Sequence, residues 1–187
     1  QSLTPDQIRG LIDERVNSLN PYAELLNDPD PARSLAALRI MMESGDDTLV
    51  QMALEFGLLS ADPVVRRTAF ESFLSTGPIL SIRFDGSAHQ DTGQFASSVT
   101  VSAWSGTVGP DHIAFWRVPI GDYSEQSRCY TRVDNDDCVV TVNADGVFFT
   151  PRSMNGRGEL TDIGTVVGSA TLNYIREPVP FSIQLLD

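Results

Sequence analysis

The strongest constraint on this chain is a change of period. Up to Gly77-Pro78 the apolar residues recur about every 3.6 positions, and from Ile79 onward about every second one, so a helical block precedes a strand block. Thr4-Pro5-Asp6-Gln7 makes a capping box with proline at the first helical position, and Ile8, Leu11, Ile12 and Val16 then draw one apolar stripe. Asn20-Pro21 is expected to open a second, short helix with Leu25 and Leu26, and Asp30-Pro31 a third with Leu35, Ala36, Leu38, Ile40 and Met41. Asp46 or Asp47 caps a fourth with Leu49, Val50, Ala53, Leu54 and Phe56, stopped by Gly57. Asp62-Pro63 opens a fifth with Val65, Ala69, Phe73 and Leu74.

In the second block, alternation predicts strands at 79–84, 99–104 and 113–118, then 139–142 and 147–150 around the turn Asn143-Ala144-Asp145-Gly146. Leu160, Val166-Val167, Ala170-Thr171-Leu172 and the segment 181–185 complete the set. Short strands broken by Gly, Asn, Asp and Pro indicate an antiparallel β-sandwich or small barrel. The expected fold is therefore α+β: a helical domain over residues 1–77 packed on an antiparallel β domain over residues 78–187. Only Ser75-Thr76-Gly77-Pro78 joins them, and the last helix would leave Phe70, Phe73 or Leu74 bare, so the strands are expected to cap the helices.

Two of the helices share a pattern. Asp30-Pro31-Ala32-Arg33-Ser34-Leu35-Ala36 aligns with Asp62-Pro63-Val64-Val65-Arg66-Arg67-Thr68-Ala69, and Arg33 lies 33 residues from Arg66, as Ala36 does from Ala69. Residues 28–75 thus resemble the HEAT-like repeat of the phycobilisome-lyase type, with Asp-Pro, an arginine and then a small residue that lets helices approach closely. The resemblance implies stacked helix pairs and a protein-binding scaffold. It covers one full pair and a following half, and the first copy has one residue fewer between its Asp-Pro and its Arg. A repeat cannot bury its apolar face alone, which again assigns the cap to the β half.

The charge pattern removes several chemistries. All 13 cationic side chains are arginine, against 25 carboxylates, for a formal net charge of −12. With no lysine the chain holds no P-loop, no Schiff-base nucleophile and no kinase-type phosphate clamp. Six arginines face 12 carboxylates in the helical half and seven face 13 in the β half, so neither half is a basic arm for nucleic acid. No apolar run reaches the roughly 18–20 residues of a membrane span. Cys129 and Cys138 flank a short loop and are expected to form a disulfide. With an acidic surface and a start at Gln1, they point to a periplasmic or secreted protein of a bacterium.

Several residue groups carry candidate chemistry. Asp91-Thr92-Gly93 matches the aspartic-protease triplet, but it follows a polar loop and has no second copy, so a turn is expected. Ser87, His89 and Asp91 contain the letters of a nucleophilic triad without a nucleophile elbow. His89 and His112 are read as loop histidines. Asp134, Asp136 and Asp137 crowd into the cysteine loop and could offer oxygens to calcium, yet the turn glycine and distal glutamate of a calcium loop are missing. The reading taken is a solvated acidic turn, with no cofactor. The expected function is a non-catalytic extracytoplasmic binding or scaffold protein with another protein as partner, possessing contacts around Arg33, Arg39, Arg66, Arg67, Phe115 and Trp116. The alternative is an envelope hydrolase or carbohydrate-binding module using Asp91, Asp111 and Asp134.

Overall fold

The computed structural model describes residues 2–89 and 91–187. Four helices come first: α1 (Pro5–Leu26), α2 (Pro31–Glu43), α3 (Asp47–Leu58) and α4 (Pro63–Leu74). Their starts follow from the local sequence. The Thr4 side chain accepts the Gln7 N–H while Gln7 Oε1 accepts the Thr4 N–H, satisfying two donors that an α-helix leaves unpaired. Asp30, Asp46 and Asp62 cap the other three by accepting backbone N–H groups two residues on.

Two local expectations are corrected. Asn20-Pro21 opens no new helix, because α1 runs through Pro21. An interior proline costs about 3 kcal/mol by removing a donor and crowding the carbonyl four residues back. Here Pro21 and Asn17 are both exposed, so solvent can take the freed carbonyl, while Leu26 is buried and holds the final turn on its neighbours. Nor does Gly57 stop α3, which continues to Leu58. Gly57 is buried where α3 crosses α4, and a Cβ there would collide with Ala69 Cβ.

The β half begins with β1 (Ile79–Asp85) and is then interrupted by α5 (Thr92–Thr100). Residues 99–104, expected as a strand, instead form the end of that helix and the bends after it. Asp91 accepts the Gln94 N–H as N-cap, and Phe95 and Val99, four apart, share one buried helical face that outweighs the β-branched propensity of the segment. The remaining strands are β2 (Thr107–Val108), β3 (Ile113–Pro119), β4 (Tyr123–Ser124), β5 (Cys129–Thr131), β6 (Cys138–Asn143), β7 (Gly146–Phe149), β8 (Met154–Leu160), β9 (Thr165–Leu172) and β10 (Val179–Gln184). All pair antiparallel in one sheet ordered β2-β3-β1-β10-β9-β8-β7-β6-β5-β4. The fold is α+β as expected, and its β half is a single sheet curled into a half-barrel.

The curl can be traced to side-chain size. Strand register sets Ala114, Phe84, Phe181, Gly168, Gly158 and Val147 in one inward row from β3 to β7. Laid flat, β10 and β7 would be three strand spacings apart, about 14 Å. Yet the Phe181 and Phe149 ring centroids are 5.7 Å apart, edge to face. The strands between them present Gly156 and Gly158, where an added Cβ would lie only 3.1–3.2 Å from the Phe181 ring. Small residues in the middle and rings on either side let the sheet fold around its own aromatics.

Helices close the concave side. Phe70 and Leu74 of α4 are fully buried, as are Phe95 and Val99 of α5. Tyr130 of β5 donates to the Glu71 carbonyl at 2.9 Å, and Arg67 reaches the Val142 carbonyl of β6 at 3.4 Å. Trp116 is buried in β3 and donates through Nε1 to the Val99 carbonyl of α5 at 3.2 Å. One continuous apolar cluster runs from Leu26 and Leu38 through Phe70 and Phe84 to Ile183, so the strands cover the helical block as its cap.

Candidate functional site: the face of the first two helices

The groups that could have formed a catalytic set are each engaged locally. Ser87 donates its hydroxyl to Asp85 at 2.6 Å, and these hydrogen bonds from Ser87 hold the Asp85 carboxyl below the usual carboxylate range. His89 Nδ1 lies 3.0 Å from the Asp91 carbonyl and 3.2 Å from its N–H, facing the backbone and not the carboxylate. Its side chain is only 7% exposed, and Nε2 is 3.6 Å from Glu177 Oε2, beyond hydrogen-bond range. Asp91 is the α5 cap, and Asp111 accepts the Ile113 N–H at the entry to β3. His112 sits in that turn with φ of 61°, its N–H bonded to the Gly109 carbonyl.

The acidic loop is likewise internally organised. Arg132 grips Asp134 through both carboxylate oxygens at 2.8 Å, and this hydrogen bonding draws the Asp134 pKa down. The Asp137 N–H is taken by Asn135 Oδ1. Asp134, Asp136 and Asp137 do not assemble into a cation site: among the described residues no cluster of three or more His, Cys, Asp or Glu could hold a metal ion. The Arg132 guanidinium stacks 5.2 Å from the Trp104 ring centroid, and Trp104 Nε1 donates to the Arg152 carbonyl. Cys129 and Cys138 are disulfide-bonded with Cα atoms 5.7 Å apart, tying β5 to β6. Among the described residues no helix is long and apolar enough to cross a membrane.

The expected contact residues divide. Trp116 is corrected from surface to core, because in the pair Phe115-Trp116 the strand period sends one ring to each face. Phe115 takes the outer face, 42% exposed, opposite Arg83 and two residues from Arg117. Arg66 and Arg67 are tied to their own chain: Arg66 donates to the Ser60 carbonyl at 2.8 Å, and Arg67 to Glu71 and to the Val142 carbonyl. Arg33 pairs with Asp28 at 2.9 Å. The Asp30 N–H and then Arg33 lower the Asp28 pKa, while Asp28 raises that of Arg33. Arg39 is exposed on α2 beside Ile40.

What these expectations missed lies on α1. Every residue from 5 to 18 is exposed, although Ile8, Leu11, Ile12 and Val16 form a stripe of the kind that normally packs. The same helix buries Leu26 and half-buries Leu19 and Ala23 against its neighbours. α1 has 22 residues and α2 has 13, so roughly nine residues, about 14 Å of helix, project past the end of α2. Beside the packed end, a groove of about 360 Å³ runs between α1 and α2, lined by Tyr22, Leu25, Ala36, Ala37, Ile40 and Met41. Ile40 is 67% exposed and Leu11 52%. The stripe was visible in the sequence, but the partner it lacks was not: the 22-against-13 mismatch in helix length leaves Ile8, Leu11 and Ile12 beyond α2, and the Asn20-Pro21 pair hides that length. No family model, no curated protein and no solved structure matches this chain.

Proposed function

We propose that this chain is a non-catalytic binding or scaffold protein outside the cytoplasm, working through protein contacts made by its first two helices. The observation that carries this reading is the exposed apolar strip of Ile8, Leu11, Tyr22, Leu25 and Ile40, interrupted midway by Arg15 and Ser18. An exposed patch of this extent, rimmed by charged residues, marks an interaction surface. The HEAT-like reading of α2 to α4 agrees with it. Asp30 and Asp62 each cap a helix that begins with proline, and Gly57 meets Ala69 at the tight crossing that small residues permit. The Cys129–Cys138 disulfide supports a periplasmic or secreted setting, because cytosolic thiols are kept reduced.

The test is site-specific photo-crosslinking in the native cell envelope. A photoreactive side chain is placed at Leu11 or Ile40, with Val167 on the outer sheet face as the comparison. Crosslinked protein adducts should form from the two helix positions and not from Val167. If Leu11 and Ile40 give no adduct while the protein is present and folded, docking through these helices is refuted.

A further inference from the structure

We infer that the occupant of this strip is a second copy of the same chain, bound antiparallel so that the projecting part of each α1 lies in the α1–α2 groove of the other. The inference rests on the docking reading above and names its partner.

The exposed side of α1 carries a heptad seam of Ile8, Leu11, Arg15, Ser18, Tyr22 and Leu25, spaced alternately three and four residues apart. Its chemistry runs apolar, apolar, polar, polar, apolar, apolar. Such a seam matches its own reverse. With a two-fold axis between Arg15 and Ser18, Ile8 meets Leu25 of the partner, Leu11 meets Tyr22, and Arg15 meets the Ser18 hydroxyl. The same helices set parallel would press Arg15 against Arg15 and leave both grooves empty. Charge therefore selects the antiparallel arrangement.

Length selects it as well. The groove from Tyr22 and Ile40 to Leu25 and Ala36 runs beside about one turn of each helix, ~5–6 Å, the same length as the turn from Ile8 to Ile12 in the projecting segment. Ile8, Leu11 and Ile12 of one copy would fill the groove floored by Ala36 and Ala37 of the other. Six roughly half-exposed apolar side chains per copy, Ile8, Leu11, Ile12, Tyr22, Leu25 and Ile40, present with their polar flanks on the order of 600 Å². Doubled, that is about 1,200 Å², the low end of specific interfaces, so a concentration-dependent dimer follows and not an obligate one. Each copy carries a charge of −12, so salt that screens the mutual repulsion strengthens it.

Two variants of the full chain, Leu11→Cys and Tyr22→Cys, each adding one free thiol beside the native Cys129–Cys138 disulfide, test the register. Positions 11 and 22 of one helix are about 16 Å apart, too far for an internal bond. Under mild oxidation, mixing the two variants should give a disulfide-linked heterodimer at least tenfold faster than either gives alone. Sedimentation equilibrium should show wild-type self-association that Leu11→Asp weakens at least tenfold. Leu11 is exposed in the single chain, so the variant leaves the core intact. Rapid self-linking of Leu11→Cys alone would mean parallel pairing and overturn the inference. A wild-type protein that stays monomeric at all accessible concentrations would also overturn it. If the photo-crosslinks at Leu11 then join a different protein, the docking function stands and only the second copy falls.

Discussion

Replacing Tyr130 by phenylalanine tests the joint between helices and sheet through a single oxygen. The phenol donates to the Glu71 carbonyl at 2.9 Å and lies 3.3 Å from Ser75 Oγ. That carbonyl also receives the Ser75 N–H at 3.1 Å and Ser75 Oγ at 3.0 Å, so Tyr130→Phe orphans no acceptor. The loss is then the net value of one hydrogen bond, about 0.5–1.5 kcal/mol, or ~1–6 °C in Tm for a chain of this size. A second signature appears at high pH. Burial, the largest influence, pushes the Tyr130 pKa above its ordinary value, against a smaller opposing effect of the Ser75 hydrogen bond. The folded chain therefore holds this proton more tightly than the unfolded chain does. That contribution to stability is complete below about pH 10 and is lost as pH rises through the folded value. With no lysine and both cysteines in a disulfide, no amine or thiol side chain titrates over the same range. Urea unfolding at pH 7 and between pH 9 and 11.5, with tyrosinate absorbance at each pH, makes the comparison. Wild type should lead at pH 7, and its lead over Tyr130→Phe should shrink as the pH rises past about 10. Equal stability at pH 7, with parallel curves up to pH 11.5, would refute the argument.

Four further outcomes follow from the packing. Gly57→Ala should destabilise by about 1–3 kcal/mol in denaturant titration, since its methyl group would collide with Ala69 and force α3 from α4. Gly158→Val should cost a comparable ~1–3 kcal/mol, because its Cβ would press on Val166, the Val167 carbonyl and the Phe181 ring. Replacing Cys129 and Cys138 together by serine opens a loop with a sequence separation of 9 and should cost about 2–3 kcal/mol, read as a lower unfolding midpoint. Residues 1–77 expressed alone should be helical by circular dichroism but aggregate, because Phe70 and Leu74 lose their cover. A soluble fragment that unfolds cooperatively would show that the sheet is not needed as a cap.

Much of this architecture was legible in the sequence because its signals were local. Asp-Pro pairs marked two helix starts to within a residue or so, and the turn after Asn143 gave the β6–β7 hairpin. Where the reading failed, a tertiary contact overrode a local rule. Pro21 stays helical because Leu26 is anchored, and Val99 is helical because it shares a buried face with Phe95. The strand β8 was almost invisible, since Asn155, Gly156, Arg157 and Gly158 have low strand propensity. Those glycines are required by a ring on β10, a residue no local window contains. The docking face was half legible. Its apolar spacing could be counted, but a stripe does not say whether its own chain covers it.

The position of β10 sets an order on how this molecule can come into being. It is the last strand in the sequence, yet it lies between β1 and β9, with Ile183 opposite Ile82 and Phe181 opposite Phe84. Before it arrives, β2, β3 and β1 form one small sheet and β4 to β9 another, with no ladder in common. Joining them closes a loop of roughly a hundred residues, a non-local and therefore slow event. During synthesis the two pieces and the helices packed on them would stay loosely joined until β10 was free to pair. The native body is thus completed in one closing step, when β10 is laid between two pieces that precede it in sequence.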